Sequence, residues 1–181
     1  MRLATQLASA GQDGVTVEYR LGNDRAAAAM VMDALLLVAR SGAAVPDPQL
    51  AYVIPREDGA EVGKFIVPVP EDRDIEAPEV PLARRLEPGA VWTGRMRLPL
   101  PLTPRYPYLR RPPTAAARHV EHLRVVIGFV DLARVEPGRS AFRPYPAAAG
   151  LFVPEHGGAL RLQELAATTI DLPPPGLSAA W

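Results

Sequence analysis

The chain contains no cysteine. That one absence excludes disulfides, thiolate nucleophiles, zinc–cysteine sites and iron–sulfur clusters together. Lysine is almost missing too: Lys64 stands alone among the basic residues, all the others being arginine. Neither sign of charge is in excess, since 20 basic and 20 acidic residues give a formal net charge of zero. A global attraction to nucleic acid or to an anionic membrane therefore has no support, and neither is expected as a partner. No apolar run approaches the roughly 20 residues of a membrane span. The first ten residues carry one arginine and an apolar part too short and too polar for a secretory leader. A cytoplasmic location is expected, with the periplasm left open.

Proline is what the chain has in abundance: 21 residues of 181, more than twice the usual share of roughly 5%. Proline interrupts helices and central strands alike, so turns, edges and extended loops should be frequent. Apolar residues make up 48% and charged residues 22%, which suits a globular chain with one core. The expected organisation is an N-terminal extension over 1–13, a core domain over 14–135, and an irregular C-terminal extension over 136–181 packed on it.

The clearest local signal is Val15-Thr-Val-Glu-Tyr-Arg-Leu21, closed by Gly22-Asn23-Asp24. Val15, Val17, Tyr19 and Leu21 fall on one face, and Thr16, Glu18 and Arg20 on the other. A period of two marks a strand with one buried face, because successive side chains point to opposite sides of a sheet. Val91 to Leu98 repeats it, with Trp92, Gly94, Met96 and Leu98 inward and Thr93, Arg95 and Arg97 outward. Val120 to Leu132 is the longest candidate, with Leu123, Val125, Ile127 and Phe129 sharing a face. Gln49 to Ile54 and Glu61 to Val69 read as a hairpin about the Glu57-Asp58-Gly59 turn. The stretch from Glu71 to Arg85 has no periodicity and is expected to be a crossover loop. Ala26 to Arg40 is open between two readings: its composition favours helix, whereas apolar residues almost all round suit only a deeply buried one.

Six or seven strands without long intervening helices predict an all-β fold, an antiparallel sandwich of about seven strands. The order of Val17-Glu-Tyr-Arg-Leu-Gly-Asn23, Lys64-Phe-Ile-Val-Pro-Val-Pro70, Leu86-Glu-Pro-Gly89, Leu98-Pro-Leu-Pro101 and Ile127-Gly-Phe129 resembles immunoglobulin-like sandwiches of small uncharacterised bacterial proteins. The resemblance covers roughly 14–132 and implies that Ala29–Val38 is a strand. It implies no activity.

Candidate chemistry is sparse. His119-Val-Glu-His122 has the spacing of a helical ligand pair, but on a strand residues three apart face opposite ways, which argues against a shared metal. His156, before Gly157-Gly158, is expected in a loop. No Gly-x-Ser-x-Gly and no glycine-rich phosphate loop is present. No metal site, cofactor or catalytic residue is predicted. Asp33 would sit on a strand buried on both faces, where a carboxylate needs an arginine partner or an edge position. Pro99 to Pro113 carries six prolines interleaved with Tyr106, Tyr108, Arg110 and Arg111. Tyrosine and arginine are enriched in interface hot spots, so these four are the predicted binding residues. The expected function is a non-enzymatic interaction module that binds a protein partner or a second copy of itself. The alternative is a small-molecule or carbohydrate binder, or a hydrolase, with a cleft near His119 and His122.

Overall fold

The computed structural model describes all residues except 12, 40, 110–116 and 173–175. It is mostly β. The strands in chain order are β1 (Arg2–Gly11), β2 (Gly14–Gly22), β3 (Ala29–Val38), β4 (Ala44–Asp47), β5 (Tyr52–Pro55), β6 (Ala60–Lys64) and β7 (Leu82–Leu86). Then come β8 (Val91–Pro99), β9 (Ala117–Val120), β10 (His122–Asp131), β11 (Phe142–Pro144), β12 (Leu151–Pro154), β13 (Glu164–Asp171) and β14 (Leu177–Ala180). One short helix, α1 (His156–Leu162), lies between β12 and β13.

Two sheets face each other. The small one has the order β1-β2-β8, and the large one runs β11-β12-β7-β3-β10-β6-β5, with β13 added beside β10 and β4 beside β3. Their inner faces share one core: Val15, Val17, Tyr19 and Leu21 of β2 with Met96 and Leu98 of β8, against Val31, Val62, Leu123, Val125, Ile127 and Phe129 of the large sheet. Each such side chain contributes about 1.5–3 kcal/mol by leaving water. The alternation read in β2 and β8 is what places them there. Neighbours in the small sheet run antiparallel, β1 and β2 as a hairpin, but β6 runs parallel to β10.

The far face of the large sheet is covered at one end by a third layer. Met30, Met32 and Val130 point away from the shared core and pack with Ile66, Ala83 and Ala159, under Val80, Leu132 and Leu160. This double covering resolves the ambiguity of Ala26 to Arg40. Apolar residues on all sides belong here to a strand buried on both faces, and Asn23 anchors its approach by donating to the carbonyls of Ala27 (2.9 Å) and Leu86 (3.1 Å).

Three expectations need correction. The crossover loop ends earlier than its composition suggests, since Leu82–Leu86 forms β7 along β3; Arg84 and Arg85 hid the strand because one of them answers a buried carboxylate. The segment before Asp13 is β1, paired along β2 with a register shift between Leu7 and Ser9. The C-terminal stretch, where the sequence offers only short strand candidates at Leu160–Gln163 and Thr168–Leu172, holds more order than expected. There β13 pairs with β10 from His122↔Asp171 to Phe129↔Glu164. It takes in most of the second candidate, whereas the first falls largely in α1. The Thr-Thr and Ala-Ala pairs of β13 mute the alternation that would have announced it.

Candidate functional site

A polar cluster crosses the shared core. Asp33 is the extra residue where the β3–β7 register shifts between Met32 and Ala34, and such a bulge re-aims a side chain. Its buried carboxylate accepts from Arg84 Nε at 3.0 Å and from Trp92 Nε1 at 2.9 Å, and the Arg84 guanidinium stacks 4.3 Å from the Trp92 ring centre. The predicted arginine partner is therefore present, on β7. Lys64 lies close by, fully buried. Its ammonium donates to Tyr19 Oη at 3.1 Å and to the Pro48 carbonyl. Burial pulls its pKa from 10.5 down to about 8, against the stabilising charges of Asp33 and Asp47. Tyr19 is pushed up, first by burial and then by the Asp33 charge. Gly94 makes the arrangement possible, because a Cβ there would stand 2.3 Å from the Tyr19 ring. Asp33, Lys64 and Tyr19 are closed off from solvent, with Arg84 and Trp92 partly exposed at the rim, so the cluster fastens the two sheets together. Lys64 escaped notice in the sequence although it shares the parity of Ala60 and Val62, which would have placed it inward.

The Pro99–Pro113 segment is tied to the body. Arg105 exchanges backbone hydrogen bonds with Val53 at 2.7 and 2.9 Å, and buried Leu102 is held by β14 through Ser178 and Ala180. Tyr106 is half-buried. Tyr108 adopts a left-handed backbone, φ +70°, and its hydroxyl is buried against the segment containing Glu79. Arg110 and Arg111 lie outside the described residues.

The two histidines separate as their spacing requires. His122 opens β10 and lines a hollow of about 500 Å³ with Arg56, Glu61, Arg124 and Thr169. His119, on β9, lines a second hollow of about 220 Å³ on the other side of the 56–59 turn. In the first, His122 Nδ1 lies 2.8 Å from Asp171 Oδ1. The buried Glu61 carboxylate is held by Arg56 at 3.0 Å and by Arg124. Both guanidiniums are thus taken up internally, and the exposed Asp171 carboxylate faces water. Among the described residues no group of three histidines and carboxylates could hold a metal ion. His156, expected in a loop, is the first residue of α1.

The outer face of the small sheet is different. Register places Ala4, Arg20 and Thr93 in one row, Gln6, Glu18 and Arg95 in the next, and Ser9, Thr16 and Arg97 in a third. Arg2, Arg20, Arg95 and Arg97 are all exposed, and Glu18 is the one carboxylate among them. Glu18 is already satisfied, by the Gln6 amide at 3.0 Å and by Arg95 Nε at 2.7 Å, which in that order hold its pKa below the usual range. Asp24 beyond the end of β2 is taken by the Met1 amine at 2.6 Å. Arg20 and Arg97 make no ion pair among the described residues. The result is a surface with an excess of guanidinium, hollowed by about 200 Å³ between Gln6, Glu18, Arg20 and Thr93, with Arg97 at its margin in a second hollow shared with Asp13 and Asp47. The sequence showed these residues pointing outward on β2 and β8, but not that the two strands are neighbours. No family model, no curated protein and no solved structure matches this chain.

Proposed function

We propose that the protein is a non-enzymatic interaction module that docks an acidic protein surface on the outer face of the β1-β2-β8 sheet. The observation that supports this reading is a pair of exposed guanidiniums, Arg20 and Arg97, which make no ion pair among the described residues, on the outer face of the small sheet. Arginine offers several donors in a rigid fork that matches carboxylates two bonds at a time. Bare nucleic acid suits the face less well, because it carries no aromatic side chain on which a base could stack. Of the residues in the proline-rich segment, Tyr108 is turned into the chain's own fold, Tyr106 is half-buried, and Arg110 and Arg111 lie outside the described residues. The immunoglobulin-like sandwich belongs to this proposal as well, supported by two facing sheets with one core and mostly antiparallel pairing.

Titration calorimetry with a poly-glutamate peptide at low ionic strength tests the reading. Binding that disappears in Arg20→Ala/Arg97→Ala, with an unchanged circular dichroism spectrum, is the expected result. A peptide that binds both proteins equally, or neither, removes it.

A further inference from the structure

The zero net charge conceals a separation of charge. Opposite the arginine face, on the far side of the large sheet, the segment 71–79 carries five carboxylates and one arginine. Glu71, Asp74 and Glu76 are exposed. Both ends of this segment are pinned in the third layer, since Ile66 and Val80 pack in the cluster beneath the large sheet. The acidic segment therefore emerges on the side of the molecule away from Arg20 and Arg97, and the two cannot meet within one chain. Prolines at 68, 70, 78 and 81 stiffen it, which lowers the entropy lost when such a segment is held in a contact.

We infer that the occupant of the arginine face is the 71–79 segment of a second copy of this chain, so that the protein associates head to tail. This rests on the reading above and names its partner. A contact between two unlike surfaces is heterologous: each copy keeps one free face and one free segment, and association continues until a ring closes or a filament grows. Pairing through a free sheet edge is the less favourable route at the exposed β3–β4 hairpin. There Leu37 and Val45 stand in register with each other, but Pro46 has no N–H to offer, and the Ala44 carbonyl already accepts from Tyr145 Oη at 3.3 Å. A proline at an edge is a recognised block to further pairing.

The test is a mixing experiment followed by light scattering. One variant reverses the face, Arg20→Glu/Arg97→Glu; the other reverses the segment, Glu71→Lys/Asp74→Lys/Glu76→Lys. At low ionic strength the wild type should exceed its monomer mass of 19.5 kDa as concentration rises. It should return to that mass in 1 M salt, where the screening length is only about 3 Å. Each variant alone should associate more than about tenfold more weakly, since facing like charges are strongly unfavourable at a contact. Mixed, the two variants should associate again although neither does alone, because the intact segment of the first fits the intact face of the second, and the reversed face of the first fits the reversed segment of the second. A single chain carrying both reversals should associate again, which shows that the variants fold.

A wild type that stays at 19.5 kDa at every concentration, or a mixture that stays monomeric, overturns the inference. Poly-glutamate binding separates the two failures. If the peptide still binds the wild-type face, only the choice of partner is wrong; if it does not, the interaction reading falls with it.

Discussion

The two outer faces of this molecule began from the same architecture and were finished differently. On the large sheet, Met30, Met32 and Val130 face outward, and the chain spends the 65–81 segment and α1 on covering them. On the small sheet, Thr16, Glu18 and Arg20 lie beside Thr93, Arg95 and Arg97, and no strand or helix of the described residues packs over them. The first face demands burial because its side chains are apolar. The second is stable in water as it stands, and so is free to meet something else. Stability and recognition are thereby assigned to opposite sides of one core.

That contrast can be broken most severely from within. Asp33→Ala leaves the Arg84 guanidinium and the Trp92 indole N–H without their shared acceptor, and loss of one partner from a buried pair costs about 3–5 kcal/mol. Urea unfolding should show it as a lower midpoint. Gly63→Ala comes next. Its new Cβ would stand 2.0 Å from the Val126 carbonyl, where β6 and β10 run parallel and neither backbone can retreat. A loss of about 1–3 kcal/mol or more is expected from such overpacking, with the polar cluster intact by tryptophan fluorescence.

Lys64 gives a gentler and more diagnostic effect, read against pH. Its folded pKa of about 8 lies below its ordinary 10.5, so between these values the unfolded chain holds a proton that the folded chain has released. Stability should therefore rise with pH through this window, by at most about 1.4 kcal/mol per unit. Above pH 10 the trend should reverse, because buried Tyr19 and Tyr52 are both raised and resist the ionisation that the unfolded chain undergoes. Lys64→Met should abolish the rise and keep the fall. A slope unchanged in Lys64→Met would place the titration elsewhere.

The smallest effects belong to a partly exposed ion-pair group on the large sheet and to the arginine face. Asp131 and Glu164 are held below the usual carboxylate range, Glu164 first by Arg25 and Asp131 first by the Ala133 amide. Their contribution is present above the ordinary carboxylate pKa and lost as pH falls below it. Because the Arg25–Glu164 pair is partly exposed, Arg25→Ala should cost only about 1 kcal/mol at neutral pH and flatten the acid limb of the unfolding curve. Arg20→Ala should shift the urea midpoint by less than about 0.5 kcal/mol. It should nevertheless weaken poly-glutamate binding, and that dissociation of stability from binding sharpens the comparison.

Strands with one wet face were readable from the sequence, and those buried on both faces were not. β2 and β8 announce their faces residue by residue, down to the inward Gly94 that admits the Tyr19 ring. β3 does not, because Ala29 to Leu35 is buried on both sides and periodicity then carries no information about helix or strand. β7 was hidden for another reason, and β13 was legible only over Thr168–Leu172: Arg84 and Glu164 serve partners that are far away in the chain, so their charge imitated solvent-facing loop. The polar cluster was half visible. Asp33 demanded a partner, but only pairing β3 with β7 supplies Arg84, and only facing it with β8 across the core supplies Trp92. The arginine face was visible strand by strand and became a surface only when register set Arg20, Arg95 and Arg97 on adjoining strands.

The most direct measurement is the affinity of poly-glutamate for the wild type and for Arg20→Ala/Arg97→Ala, taken together with the urea midpoint of each. The account predicts equal midpoints and binding by the wild type alone. Equal binding at equal midpoints would contradict it, because the uncovered face would then be surface and nothing more.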